Sequence, residues 1–192
     1  TKLTGRYLTF ETFPLDFKEY VEMKKFLDKE VETDIEKEFN EYILNGGFPK
    51  SLEFDNISAR QFYTREIVKE IFKKDVKTRN RISNLAVFER VQYFIINNYS
   101  SPISISNITD ELVKNGFKTK ASTVRNYVNY LESAKIIYKC NRFDLKSKKS
   151  LKKDSKYYIA DLSLYFSTNT DNQLNYGPSI ENIVYLYLVS NN

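Results

Sequence analysis

The chain has 192 residues, 41% of them hydrophobic, which is enough for one or two compact units with real cores. It contains no histidine and one cysteine, Cys140, which excludes imidazole general bases, Ser-His and Cys-His nucleophile pairs, His-containing and four-Cys zinc sites, and any internal disulfide. The net charge of +5 comes from 30 basic and 25 acidic residues; six lysines against Asp154 in the stretch 145–158 carry an excess of the same size. Charge concentrated in one segment points to an anionic partner more strongly than a diffuse excess does.

No apolar run approaches the roughly 18 residues of a membrane span, so no membrane partner is expected. The opening TKLTGRYLTF lacks the layout of a secretory signal and does not start with Met, so the chain reads as a piece of a longer protein. Sparse cysteine suits a reducing cytoplasm.

The elements follow in order. RYLTFETF, rich in β-branched and aromatic residues, predicts a strand ended by Pro14. PLDFKEYVEMKKFLDKEV predicts a helix with Leu15, Phe17 and Tyr20 on its apolar face. In ETDIEKEFNEYILNGGFP, Thr33 or Asp34 caps a second helix, and Glu36 to Glu38 suit its positive end. Ile35, Phe39, Tyr42 and Ile43 share one face of that helix, and Gly46-Gly47 with Pro49 end it. The glycine pair follows a helix instead of preceding one, so it reads as a C-terminal turn that lets Phe48 pack, not as a phosphate loop. ISARQFYTREIVKEIFKKDV predicts a third helix with Phe62, Tyr63, Ile67, Ile71 and Phe72 in its stripe, and with Lys73, Lys74 and Lys77 near its negative end.

From Asn80 the pattern changes. NLAVFERVQYFIINNY predicts a helix with Leu85, Phe88, Val91 and Ile95 inward; SPISIS is a short extended piece. SNITDELVKNG is a short helix carrying Ile108, Leu112 and Val113, stopped by Gly116, and ASTVRNYVNYLESAK is the next helix. IIYKCNRFDL and KYYIADLSLYF are β-rich runs on either side of the lysine segment. Three helices followed by a β-hairpin is the order of a winged helix-turn-helix. The expected fold is therefore mainly α with a small β-hairpin: a helical lid-like subdomain, then a winged helix.

The last of the three helices takes the recognition position. Val124, Tyr127, Val128, Leu131 and Ala134 fall on one face; Ser122, Arg125, Asn126, Asn129 and Ser133 fall on the other. Arg and Asn suit bidentate contacts to bases and Ser suits phosphates. Lys118 and Lys120 enter the helix where phosphates are bound. Lys146, Lys148, Lys149, Lys152 and Lys153 sit around the hairpin tip, the wing, where each adds sequence-independent affinity for a phosphate backbone. The bland alternatives are a solvated helix face and a hairpin kept charged for solubility, with the domain serving as a scaffold for protein contacts; Glu132 argues mildly for them.

Six stretches carry a family resemblance in order and spacing: LTGRYLTFETFPLDFKEY (3–20), YILNGGFP (42–49), FYTREIVKEIFKKDV (62–76), TVRNYVNYLESAKII (123–137), RFDLKSKKSLKKDSKYYIADLSL (142–164) and GPSIENIVYLYL (177–188). Together they resemble a bacterial and archaeal family of AAA-superfamily ATPases with a P-loop core, a helical lid, a winged helix and a C-terminal nuclease-like domain. The resemblance implies that 1–20 is a remnant of the ATPase core, 21–78 a helical lid-like subdomain, 79–168 a winged helix, and 169–192 a linker and the start of the nuclease-like domain. It implies ATP and Mg as cofactors of the parent protein. None is expected in this chain, which has no G-x-x-x-x-G-K-[ST] and no acidic Walker B cluster. It also places Arg6 where an arginine sensor or finger neutralises γ-phosphate charge, against the plainer reading of a surface ion pair, and aligns Glu181 with a metal-holding glutamate whose partners lie beyond the chain. Asn182 reads as a helix cap or a surface residue.

The expected function is that of a non-catalytic middle fragment, with no metal or catalytic residue of its own, whose winged helix binds double-stranded DNA and couples nucleotide state to it. The expected partners are duplex DNA and the flanking domains of the same protein. A scaffold that touches no nucleic acid is the alternative. A standalone winged-helix regulator is disfavoured by the missing start Met and the orphan strand.

Overall fold

A computed structural model describes residues 10–71, 82–144, 149–169 and 174–191, with backbone only at 143–144 and 149–154. The expected strand falls partly outside this range; its described part, 10–13, has no strand pairing. Arg6, Phe72, Lys73, Lys74, Lys77, Lys146 and Lys148 also lie outside the described residues.

Eight helices and one three-stranded antiparallel sheet make up the described chain, so the fold is mainly helical. Helix α1 (Phe17–Phe26) starts at Asp16, whose carboxylate takes the Glu19 N–H while Glu19 returns a bond to the Asp16 N–H. This reciprocal box satisfies two donors that a helix start otherwise leaves open. Helix α2 (Ile35–Asn45) is capped by Asp34 and ends at Gly46 with φ +71°. A 3-10 turn (Pro49–Glu53) leads to α3 (Ile57–Ile71).

The first three helices enclose Tyr20, Tyr42 and Leu52, and they also bury charge. Lys24 Nζ donates to Glu38 at 2.7 Å and to Glu41 at 2.8 Å, and the second oxygen of Glu38 accepts the Glu32 N–H. Arg60 Nε donates to the Phe54 carbonyl at 2.9 Å. Glu38 thus holds a buried lysine, where its place near the helix start predicts solvent exposure. The apolar stripes are correspondingly displaced: Ile35 (73% exposed) and Phe62 (60% exposed), expected inside, face out.

The second part runs α4 (Leu85–Asn97), β1 (Pro102–Ile103), α5 (Ile105–Lys114), α6 (Ala121–Ser133), β2 (Ile137–Asp144) and β3 (Lys149–Ile159). Strand order is β1-β3-β2. Val87, Phe88, Val91, Ile95, Ile108, Leu112, Val124, Tyr127, Val128 and Leu131 form one core with the inward strand residues Ile137, Tyr157 and Ile159. Burying each large apolar side chain contributes about 1.5–3 kcal/mol. Leu85 and Val113, expected in this core, are exposed.

Two helix ends here use the same device. The Phe117 N–H bonds the Leu112 carbonyl and the Ile136 N–H bonds the Leu131 carbonyl, each wrapping the chain back over its last turn. Gly116 takes the left-handed position in the first (φ +85°), and Lys135 takes it in the second (φ +56°). The β2–β3 ladder pairs Asn141 with Ser155 and then Arg142 with Leu151, so β3 bulges over 152–154. The run DLSLYF, expected to extend the second strand, forms the short helix α7 (Ser163–Thr168) instead.

Helix α8 (Tyr176–Ser190) closes the far face of the sheet. Tyr158 stacks on Tyr185 with ring centroids 3.9 Å apart, and Lys156 and Tyr158 both donate to Glu181, at 2.6 and 2.7 Å. Burial alone would raise the Glu181 carboxyl; the Lys156 ammonium and the Tyr158 hydroxyl hold it below the usual range. Asn182 is neither cap nor surface: fully buried, it donates to the Ile159 carbonyl and accepts the Ile159 N–H, both at 2.9 Å. It completes the edge of β3 beyond the end of β1, where two backbone groups would otherwise be buried unpaired.

Candidate nucleic-acid interface

The candidate interface centres on α6. Its period places Val124, Tyr127, Val128 and Leu131 in the core and leaves Ser122, Arg125, Asn126, Asn129 and Ser133 exposed on the opposite face. Among the described residues, none of these five side chains makes a hydrogen bond or an ion pair, and all five are exposed. The helix is held from behind. Tyr127 packs edge-on against Phe88 and its hydroxyl accepts the Asn84 N–H at 3.1 Å, tying the start of α4 to the middle of α6.

The start of α6 is open. Lys120 occupies the cap position and gives no side-chain bond to the first turn, so the leading N–H groups keep free donor capacity. Lys118 and Lys120 are both exposed and line a shallow groove with Ser83, Asn84, Thr119 and Thr123. Two ammonium groups beside an uncapped helix start make this end of the groove attractive to anions.

Of the lysines expected at the hairpin tip, Lys149, Lys152 and Lys153 lie on β3, the last two in the bulge. Lys139 and Arg142, both exposed, stand on β2, opposite Tyr157 and Leu151. Lys156, at the base of the hairpin, is already paired to Glu181 and so contributes less to any external field. Glu132 is half-buried near Tyr157, whose hydroxyl burial raises to about 12, with Glu132 adding to the rise and Arg125 opposing it.

One polar cluster has no sequence signal comparable to the periodicity of α6. Asp161, buried just after β3, accepts the Gly47 N–H at 2.6 Å and both the N–H and the hydroxyl of Ser163. A Cβ on Gly46 would lie 1.8 Å from an Asp161 oxygen. Gly46-Gly47 is thus a C-terminal turn, as expected, and also a cradle for a carboxylate from the other end of the chain. The hint in the sequence is a lone acid between apolar residues, in YYIADLSL.

Residues 36–174, most of the chain, match the family described as Domain of unknown function (DUF8612). The chain belongs to this family. The DUF8612 segment contains α6, the β2–β3 hairpin and both partners of the Asp161–Gly47 contact, while α1 and α8 lie outside it. An uncharacterized protein of Methanocaldococcus jannaschii is 33% identical over 98% of this chain and 43% of its own length. An uncharacterized protein of Haemophilus influenzae is 29% identical over 98% of this chain and 46% of its own length. The chain therefore spans less than half the length of these curated relatives. No solved structure gives a significant match to the chain. No helix among the described residues is long and apolar enough to cross a membrane.

Proposed function

We propose that residues 85–159 act as a winged helix-turn-helix that lies on double-stranded DNA, with α6 in the major groove and the β2–β3 hairpin along the phosphate backbone. The observation that carries the reading is the two-sidedness of α6. Its inner face is fully committed to the core, while its outer face presents Arg125, Asn126 and Asn129 flanked by serines, free of any hydrogen bond or ion pair to the described residues. The α4–β1–α5–α6–β2–β3 order and the lysines at 118, 120, 149, 152 and 153 support it. In this reading Arg125 and the two asparagines contact base edges, and the lysines contact phosphates.

The wider role follows the AAA-ATPase resemblance: the segment couples a nucleotide-driven core elsewhere in a longer polypeptide to DNA. ATP and Mg belong to that core, and Arg6 is its candidate arginine sensor. Relatives more than twice the length of this chain leave room for such a core.

Titrating a labelled duplex with the protein at several salt concentrations tests the reading by fluorescence anisotropy. Binding should weaken steeply with salt and fall further when Lys148, Lys149, Lys152 and Lys153 become Ala. No binding at about 50 mM salt, where non-specific phosphate contacts are strongest, removes DNA from the account.

A second reading, a winged helix used as an interdomain scaffold, is favoured by α8. Ile180, Val184, Tyr187 and Leu188 are all exposed along one side of that helix, at a spacing suited to packing against another protein surface. Under this reading the protein binds no duplex at any salt concentration.

A further inference from the structure

We propose that Asp161 is a proton-operated latch that fastens the first three helices to the β3–α7 turn. The proposal stands apart from DNA binding and concerns how the two parts of the chain are held together.

The latch spans three elements. From the end of α2, the Gly47 N–H reaches Asp161 at 2.6 Å. From α3, Thr64 donates to the Ser163 hydroxyl at 3.3 Å, and Ser163 donates in turn to Asp161. Thr64 and Ser163 are both buried, so this polar chain has no exposed exit through either hydroxyl. The Gly47 carbonyl also accepts the Leu15 N–H at 2.8 Å, which ties the entry of α1 to the same point. Glycine is required at 46 because any Cβ there would enter the carboxylate, and because its φ of +71° disfavours other residues.

The hydroxyl chain can run in either direction. With Asp161 ionised, protons point inward: Thr64 to Ser163 to Asp161. With Asp161 protonated, the acid donates to the Ser163 oxygen and the Ser163 hydroxyl turns toward Thr64, since a hydroxyl both donates and accepts. Both protonation states are thus accommodated in the closed latch, and burial decides between them. Burial pushes the Asp161 carboxyl up to about 6, against the lowering effect of the Ser163 and Gly47 donors.

The other ionisable groups near it come from the elements around an apolar cavity of about 360 Å³: Asp16 and Lys18 from the start of α1, Tyr42 from α2 and Tyr187 from α8. None forms an ion pair with Asp161 among the described residues. The Tyr42 hydroxyl donates to the Leu15 carbonyl and not to Asp161, whose charge instead helps hold the phenol protonated. Nothing in the latch therefore compensates the buried negative charge except hydrogen bonds.

The direction follows from linkage. An open latch exposes Asp161 to water and returns it to its ordinary value of 3.8, so the closed form binds the proton more tightly. Closure is favoured by proton uptake; that contribution is complete below the ordinary value and is lost as pH rises through about 6. Alkaline conditions loosen the joint between the first three helices and the rest.

Amide hydrogen exchange at Gly47, read by NMR and corrected for the intrinsic pH dependence, tests the proposal on the whole chain. Opening should become about a hundredfold easier between pH 4 and pH 8 in the wild type, with its midpoint near 6. Asp161→Asn should abolish that dependence, and Ser163→Ala, which removes a donor to the carboxylate, should move the midpoint upward. A flat profile in the wild type, an unchanged profile in Asp161→Asn, or an unmoved midpoint in Ser163→Ala overturns it. Should Asp161→Asn fail to fold, the Gly47 amide shift of the wild type decides: a titration near 6 supports the latch and one near the ordinary carboxylate range rejects it.

Discussion

The first three helices and the α4–β3 unit bury comparable elements by different means. In the second, residues spaced at helical and strand periods meet in one apolar core, and almost every inward position is aliphatic or aromatic. In the first, a small aromatic cluster shares the interior with Lys24, Glu38 and Arg60, while Ile35 and Phe62 stand in solvent. One region is specified by pattern and the other by pairing, so the two should respond differently to the same kind of damage.

The largest expected effect comes from breaking the pairing. Lys24→Ala leaves Glu38 charged and enclosed, at a cost of about 3–5 kcal/mol in urea denaturation. Replacing both partners, Lys24→Met with Glu38→Leu, should recover most of that loss, since apolar residues of similar volume often replace a buried ion pair at little cost. If the double variant is as damaged as the single one, the pair does more than satisfy itself and the comparison fails. In the patterned region, Leu131→Ala should cost about 2–4 kcal/mol by leaving a cavity beneath α6.

Smaller effects sharpen the comparison. Asn182→Ala should cost about 2 kcal/mol, because the N–H and carbonyl of Ile159 lose their partner inside the protein. Gly116→Ala should cost about 1 kcal/mol: its Cβ would meet open space, so the whole penalty comes from the left-handed backbone. Thermal denaturation resolves both changes. Arg125→Ala should move stability by less than about 0.5 kcal/mol, since the residue is exposed and makes no hydrogen bond or ion pair with the described residues.

What the sequence makes legible follows the same division. Both faces of α6 are readable because the residue types segregate at a period of 3.6, and Gly116 marks the stop of α5. The exposed positions at 122, 125, 126, 129 and 133 emerge without error for the same reason. The interior of the first three helices leaves no such pattern: a lysine and a glutamate on helices look alike whether they face water or each other. Their pairing joins residues 24 and 38, which no local window connects. Asn182 escapes for a related reason, since its value lies in matching the N–H and carbonyl of one distant strand residue. Asp161 and Gly47 are 114 positions apart, and only the folded chain shows that the glycine pair is shaped around a carboxylate.

The central claim is that α6 is anchored on one side and free for DNA on the other. The most direct test measures duplex affinity and melting temperature together for the wild type and for Arg125→Ala/Asn129→Ala. The account predicts an unchanged melting temperature and an affinity reduced at least tenfold, which two lost base contacts at about 1–3 kcal/mol each would produce. Equal affinity in the two proteins, or no binding by the wild type, would contradict it.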